Sequence, residues 1–165
     1  MNRILSLLPW AGGLFISVIF IDSLRFKFTG HQTPEHIFTT LRDWSGIGLF
    51  YPAGPWIIGL GELAASFLLI AAPLFFLLTR KKTLIGPSQF FGALIAFAIM
   101  SGAIIFHLFT PLGISTPVEW NGETPTAFSP ALFYSACASW ALALTIMFLR
   151  RETMAALRKG SRSGA

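Results

Sequence analysis

Four segments of this chain are each long enough and apolar enough to cross a lipid bilayer as a helix. They cover approximately residues 4–28, 55–78, 88–109 and 129–149 of the 165 in the sequence. A helix needs roughly 20 apolar residues to cross the hydrocarbon layer, where every backbone amide must be hydrogen-bonded within the segment. Hydrophobic residues make up 54% of the chain and charged residues 12%, which is not the balance of a soluble domain. The sequence therefore predicts an all-α fold, an integral membrane four-helix bundle that occupies residues 1–150.

The first segment and the single cysteine exclude two other interpretations. Arg3 precedes the first apolar run as in a secretory signal, but the run is too long and no small-residue cleavage site follows it. We therefore interpret it as span one. Cys137 is the only cysteine and lies in span four, so the chain cannot form an internal disulfide or a CxxC pair. With no intrinsic cofactor site recognisable, electrons for any redox reaction would have to come from a partner.

Basic residues are distributed unevenly along the four-span arrangement. Nine of the 12 fall on the side of the two termini, and three fall on the other side. The positive-inside rule then predicts that both termini are cytoplasmic. The net charge of +5 has the same origin and does not indicate nucleic-acid binding. Residues 151–165 are interpreted as a frayed basic cytoplasmic tail that faces membrane lipid. The nine residues are Arg3, Arg80, Lys81, Lys82, Arg150, Arg151, Arg158, Lys159 and Arg162.

The two external loops differ in pattern. In the first loop, residues 29–54, Thr33 is a plausible N-cap and Pro34 a first helical residue, and apolar residues follow at helical spacing. This predicts a short amphipathic helix on the outer membrane surface. The second loop, residues 110–130, carries four prolines and no Lys or Arg, and predicts a stiff, mostly irregular segment.

Ionisable residues inside the spans all belong to the outer half of the membrane. Span one runs outward and places Asp22 roughly 9 Å below its outer end at Phe28, at 1.5 Å per residue. Span two runs inward and places Glu62 roughly 10 Å below the same surface. His107 lies within a turn of the outer end of span three. Because such groups cost about 2.5–3.5 kcal/mol each at mid-membrane, we expect them to face the bundle or a wet cavity.

Helical angles predict how these groups pair. Asp22 and Arg25 are three residues apart and share a face, whereas Lys27 points about 140° away from Asp22. Lys27 is therefore available to another helix. Glu62 begins a narrow polar stripe on span two, and its expected counter-ion is Lys27 or Arg25. The candidate ligand-binding or buried polar cluster consists of Glu62, Lys27, Arg25, Asp22 and His107; no catalytic residue is assigned.

All of these residues except Glu62 also have a simpler structural interpretation, whereas nothing structural requires a carboxylate at Glu62. Arg25 and Lys27 can extend to the headgroups, and Asp22 can serve only to hold Arg25. His107 can bond a backbone carbonyl at the interface. A metal site is not predicted, because no HxxxH or ExxH spacing is present.

The motifs "GLGELAASFLLIAAPLF" in span two and "GALIAFAIMSGAIIFHLFTPLGI" in span three resemble those of the DoxX-like family of small four-helix membrane proteins. Lys27 after the small residue Ser23, Glu62 early in span two and His107 at the end of span three match its degenerate motifs. The resemblance covers residues 7–149 and implies a bacterial cytoplasmic (inner) membrane protein. Some relatives are linked to quinone-dependent sulfur oxidation or oxidative-stress complexes, and others to membrane-protein assembly or export.

Two functional hypotheses remain open at this point. In the first, the chain is an accessory component of a membrane redox system that binds a quinone or another lipophilic ligand. Glu62 and His107 would then handle protons while Arg25 or Lys27 orients a carbonyl or an anion. In the second, it is a non-enzymatic assembly subunit whose buried ion pair sets the helix register and whose loops contact a partner protein. Small residues four apart are also compatible with an oligomer. A transporter is disfavoured, because no inverted repeat is present.

Overall fold

The computed structural model describes residues 3–162 and contains four helices that are long and apolar enough to cross a membrane. These cover Ser6–Phe28, Ala53–Leu78, Lys82–Phe109 and Ala131–Met154, so the four predicted spans are confirmed as helices to within a few residues at most ends. The elements in chain order are α1 (Arg3–Phe28), α2 (Gln32–Ser45), α3 (Ala53–Ser66), a π-helical segment (Phe67–Ala71), α4 (Ala72–Leu78), α5 (Ile85–Phe109), β1 (Thr116–Asn121), β2 (Thr124–Ser129) and α6 (Ala131–Arg162).

The core of the bundle is built largely from small side chains that allow the helices to approach closely. Gly92 on α5 lies directly against the backbone of the second span, because a Cβ there would lie 2.9 Å from the backbone nitrogen of Leu69 and 3.0 Å from the carbonyl oxygen of Ala65. Small interface residues are the usual means of packing apolar helices closely in lipid. The buried core residues are Ile16, Phe20, Ala65, Leu69, Ala93, Ala96, Met100, Ala136, Ala143 and Ile146.

The second span is interrupted by the π-helical segment Phe67–Ala71. Pro73 lies two residues beyond this segment, and its ring removes a backbone donor from the helical ladder. The hydroxyl of Ser88 on α5 donates to the carbonyl oxygen of Leu68 at 2.8 Å. A neighbouring helix thus supplies a hydrogen bond to a carbonyl in the irregular turn, as a membrane-embedded backbone requires.

The predicted amphipathic helix in the first loop is present as α2, but it begins two residues earlier than expected. His31 rather than Thr33 is the N-cap, because the His31 Nδ1 accepts a hydrogen bond from the backbone N–H of Thr33 at 3.1 Å. Gly46 ends the helix in the left-handed conformation, at φ 72°. Its buried residues Phe38 and Leu41 turn toward the bundle, and a Cβ at Gly54 would lie 2.6 Å from the Phe38 ring. Helix α2 is therefore packed on the start of α3.

The second loop is a β-hairpin, so the prediction of an irregular segment is wrong there, and the predicted all-α fold is confirmed as a mostly helical fold with one hairpin. Strands β1 and β2 are antiparallel, and Asn121 pairs with Thr124 across a two-residue turn. Gly122 occupies the first turn position at φ 60°, which is where a type II′ turn requires glycine. Pro117 and Pro125 lie within the strands and are tolerated because each strand of a two-stranded sheet has a free edge.

The hairpin is attached to α2 through its side chains. The Thr33 hydroxyl donates to the carbonyl oxygen of Pro117 at 3.0 Å and accepts from the Trp120 indole at 3.1 Å. The Gln32 amide donates to the carbonyl oxygen of Gly122 at 2.6 Å. The loop that contains α2 and the hairpin therefore form one connected cover over the end of the bundle opposite the chain termini.

Helix α6 continues through the segment that the sequence analysis assigned to a frayed tail. It runs from Ala131 to Arg162 without a break, so that expectation is wrong for residues 151–162. Residues 163–165 of the predicted tail lie outside the described residues. The good helix formers in "MAALRK" account for the extension, since Ala, Leu, Met, Arg and Lys all have high helix propensity.

Candidate functional site

An ion pair between α1 and α3 forms the centre of the candidate site. The Lys27 Nζ lies 2.9 Å from both carboxylate oxygens of Glu62, and the two side chains are only 14% and 4% exposed. The two helices run in opposite directions, and Lys27, which the helical angles left available to another helix, faces α3. Of the two counter-ions that the sequence left open, the structure pairs Glu62 with Lys27.

Ser23 completes this pair as a third member. Its hydroxyl accepts from the Lys27 Nζ at 3.0 Å and lies 2.7 Å from Oε2 of Glu62 and 2.8 Å from the carbonyl oxygen of Phe20. The three ammonium donors of Lys27 therefore all have acceptors within the triad. A carboxylate offers about four acceptor positions, so Glu62 retains capacity for a further donor.

His107 is held by the loop that follows α5. Its Nδ1 lies 2.6 Å from the carbonyl oxygen of Gly113, and its ring contacts the edge of Phe133. Because a carbonyl oxygen can only accept, Nδ1 carries a proton. The simpler interpretation of His107, a histidine bonded to a backbone carbonyl, is thus confirmed for one ring nitrogen. In the neutral tautomer with this proton, the other nitrogen, Nε2, is an acceptor.

A partly enclosed cavity of about 240 Å³, called the outer cavity below, lies at the end of the bundle opposite the chain termini and is bordered by the triad and by His107. Its walls are mostly apolar and come from α1, α2, α3, α5 and α6. Helix α2 contributes the apolar side chains Ile37, Phe38 and Leu41. The predicted amphipathic face therefore covers a cavity within the protein.

Asp22 and Arg25 do not belong to this cluster. They pair with each other as predicted, with Nη2 of Arg25 3.0 Å from Oδ1 of Asp22, but their side chains are 57% and 67% exposed. Neither residue borders the cavity. At three and five residues from Asp22, Arg25 and Lys27 lie on different faces of α1, and only Lys27 is directed at α3. The structure thus brings together Glu62, Lys27 and His107.

The rim of the site carries several exposed polar contacts on α2. Arg42 donates to Asp43 at 2.7 Å, and this hydrogen bond lowers the pKa of the Asp43 carboxyl. The Tyr51 hydroxyl donates to Glu35 at 3.0 Å, which raises the pKa of that phenol. Burial lowers the pKa of His36, so its imidazole stays neutral to a more acidic pH than an exposed imidazole does. These groups lie outside the cavity lining.

Sequence reasoning missed two features of the site. Ser23 was noted only as the small residue before Lys27, although a hydroxyl four residues before a lysine on one helix face is a recognisable partner. The cover formed by α2 was assigned to the membrane surface, because an amphipathic pattern does not reveal which apolar surface it contacts. No described residues form a group of three or more potential metal ligands, so the structure offers no metal centre in this part of the chain.

With this geometry established, the chain was compared with known proteins. No protein-family model, curated protein or solved structure matches it. The structure shows a mostly helical protein with four helices that are long and apolar enough to cross a membrane.

Proposed function

We propose that this protein binds the head of a lipophilic molecule bearing hydroxyl groups, such as a reduced quinone, in the outer cavity. One observation carries the proposal: an apolar cavity borders two polar groups, Glu62 and His107, that both have acceptor capacity remaining. A quinol presents two hydroxyl donors. Its oxidised form presents only acceptors, which would have to compete with Glu62 for Lys27.

The size of the cavity fits this class of ligand. Sites that enclose whole drug-sized molecules measure roughly 300–1,000 Å³. The cavity here, about 240 Å³, suits a substituted ring whose tail remains in the lipid. Its walls are mostly apolar, as expected for a ligand that partitions into a bilayer.

The residues of this chain would supply binding and proton acceptance. A quinol that loses two electrons must also lose two protons, and Glu62 and the Nε2 of His107 are acceptors for them. The electrons would pass to a partner protein in the membrane, so the protein acts as an accessory component of a redox system. We also propose that the chain is a member of the DoxX-like family, because Lys27, Glu62 and His107 match the motifs of that family.

The proposed location is a bacterial cytoplasmic membrane, crossed four times with both termini in the cytoplasm. The excess of basic residues on the side of the termini supports this orientation. The outer cavity then lies on the periplasmic side. The expected partners are membrane lipid and a redox or other membrane protein, with no nucleic acid among them.

Removing the Glu62 charge tests the proposal. Glu62→Gln should weaken binding of a short-tailed benzoquinol at least tenfold, because hydrogen bonds to charged groups contribute roughly 1.5–3 kcal/mol. The measurement is ligand-dependent thermal stabilisation of the detergent-solubilised protein. Asp22→Asn is the matched control, since it removes an acid at the same depth outside the cavity, and its affinity should stay within about twofold.

Two further comparisons separate ligand binding from general destabilisation. Gly102 borders the cavity, and a Cβ there would meet only Phe106 Cε2, at 4.0 Å, so Gly102→Leu should fill the cavity and block binding with the ion pair intact. The dimethyl ether of the same quinol lacks donors and should not stabilise the natural protein. Equal stabilisation by quinol and ether, or unchanged binding in Gly102→Leu, would refute the proposal.

A second candidate function is a non-enzymatic assembly subunit. The observation in its favour is that Lys27 has all its donors satisfied within the chain, as a structural ion pair would. Under this hypothesis Glu62→Gln lowers the stability of the protein or its co-purification with a partner. The quinol then stabilises neither the natural protein nor the variant. If the substitution changes neither ligand binding, stability nor co-purification, both hypotheses about this carboxylate fail.

A further inference from the structure

A second pocket lies at the opposite end of the bundle, on the side of the chain termini. Its volume is about 370 Å³, and its lining comes from α1, the turn before α5, the start of α5 and α6. Lys82 and Arg150 line it, and no acidic side chain does so among the described residues. The pocket shares no lining residue with the outer cavity and plays no part in the function proposed above.

Arg150 is held in position by a buried residue of α5. Its Nε donates to Oε1 of Gln89 at 2.9 Å, and Gln89 is 0% exposed. No carboxylate in the described part of the chain lies within salt-bridge distance of Arg150. A guanidinium has five donors in a planar fork, so fixing Nε leaves the two terminal nitrogens to bind a ligand oxygen pair.

The walls of the pocket add to this preference for an anion. Helix α5 begins at Ile85 in the lining, and the positive end of its dipole adds to the charge of Lys82 and Arg150. Helices α5 and α6 approach closely beneath the pocket, since a Cβ at Gly86 would lie 2.6 Å from Thr153. The floor is therefore formed by two closely packed helices.

Apolar side chains border the same pocket on α1. Leu7 is 64% exposed, and Trp10 lies one turn further along the helix. Trp is a typical residue of the membrane–water interface, and basic pockets between spanning helices recognise lipid headgroups. An anionic lipid would use both the basic side chains of the pocket and the exposed apolar surface beside it, whereas a soluble anion would use only the basic side chains.

We propose that this pocket binds the phosphate of an anionic phospholipid, held by Arg150 and Lys82 with the acyl chains along α1. The test uses the full-length protein in detergent, titrated separately with phosphatidylglycerol, phosphatidylcholine and inorganic phosphate. Bound lipid is counted by native mass spectrometry, and stabilisation is followed by thermal unfolding. The natural protein should retain phosphatidylglycerol in preference to phosphatidylcholine.

Two matched pairs of variants locate the binding. Arg150→Gln should reduce affinity for phosphatidylglycerol about five- to tenfold, whereas Arg151→Gln, the same charge change outside the pocket, should alter it less than about twofold. Lys82→Gln and Lys81→Gln form the second pair, with the larger loss expected for Lys82→Gln. Both lysines are exposed, so this pair decides the question if Arg150→Gln fails to fold.

Several outcomes would overturn the inference. If the two variants of each pair lose the same affinity for phosphatidylglycerol, the lipid is held by general charge attraction and not by a site at this pocket. Equal retention of phosphatidylcholine would show that the negative charge is not recognised. If inorganic phosphate stabilises the protein as strongly as phosphatidylglycerol does, the pocket binds a soluble anion and the lipid proposal is wrong.

Discussion

At the scale of single residues, the pairing of Lys27 with Glu62 explains why a carboxylate lies within an apolar span. Taking an isolated charge out of water is costly, and an opposite charge at hydrogen-bond distance offsets much of that cost. The ammonium group meets both carboxylate oxygens and the Ser23 hydroxyl, so each of its donors has an acceptor. The pair is therefore tolerated as a unit, while either partner alone is not.

This balance predicts how substitutions combine. Lys27→Met leaves Glu62 as an uncompensated buried acid and should lower the free energy of unfolding by roughly 3–5 kcal/mol. The double variant Lys27→Met, Glu62→Met replaces the pair by apolar groups and should recover most of that loss. Chemical unfolding in detergent measures all three free energies. A double variant as unstable as the single one would contradict a compensated pair.

At the scale of secondary-structure elements, two glycines on α5 have opposite surroundings. Gly92 lies against the backbone of the second span, where a Cβ would meet Leu69 at 2.9 Å. Gly102 has one neighbouring side chain at 4.0 Å and borders the outer cavity. Close approach of α5 to the second span therefore occurs at Gly92 and not at Gly102.

The contrast gives a matched test of helix packing. Gly92→Ala should cost about 1–3 kcal/mol of stability, because the added methyl forces backbone apart in a packed core. Gly102→Ala should be neutral or slightly stabilising, since alanine is the better helix former by about 1 kcal/mol. Thermal unfolding of both variants in the same detergent compares them directly. Equal melting temperatures would show that the α5 contact with the second span is looser than described.

At the scale of the whole molecule, apolar surface and polar sites are arranged along the direction of the spans. Only 22–33% of the residues in the most apolar windows of the four helices are buried, so most of these side chains face outward. The ion pair and its cavity lie toward one end, and the pocket with Arg150 lies toward the other. A bundle of this kind needs lipid around its middle and polar surroundings at its two ends.

This arrangement predicts which loops a reagent reaches from outside the cell. In a Cys137→Ser background, Glu123→Cys in the hairpin turn should react with a membrane-impermeant maleimide in intact cells. Lys81→Cys, between the second and third spans, should react only after the membrane is opened. The reverse pattern would invert the proposed orientation, and labelling of both sites in intact cells would contradict the number of spans between them.

Much of the fold follows from the sequence because spanning helices must satisfy their own backbone. Length and apolarity sufficed to predict all four helices, and helical angles left Lys27 available to pair with Glu62. The hairpin was not predicted, although Asn121-Gly122 is a strong turn signal, because its prolines were interpreted as breaking any strand. Proline is compatible with a strand at a position whose backbone faces a free edge, and the pairing of the two strands determines which positions face that edge.

By itself, the sequence determined the local and one-dimensional properties of this protein: which long segments are helical and which residues share a helix face. Only the tertiary structure decided which charges meet across helices, so that Lys27 enters the core while Asp22 and Arg25 remain outside. It also decided that α2 covers a cavity and that Arg150 is fixed by Gln89. The physical reason is that periodicity is set within one helix, whereas contact depends on how several helices rotate and pack together.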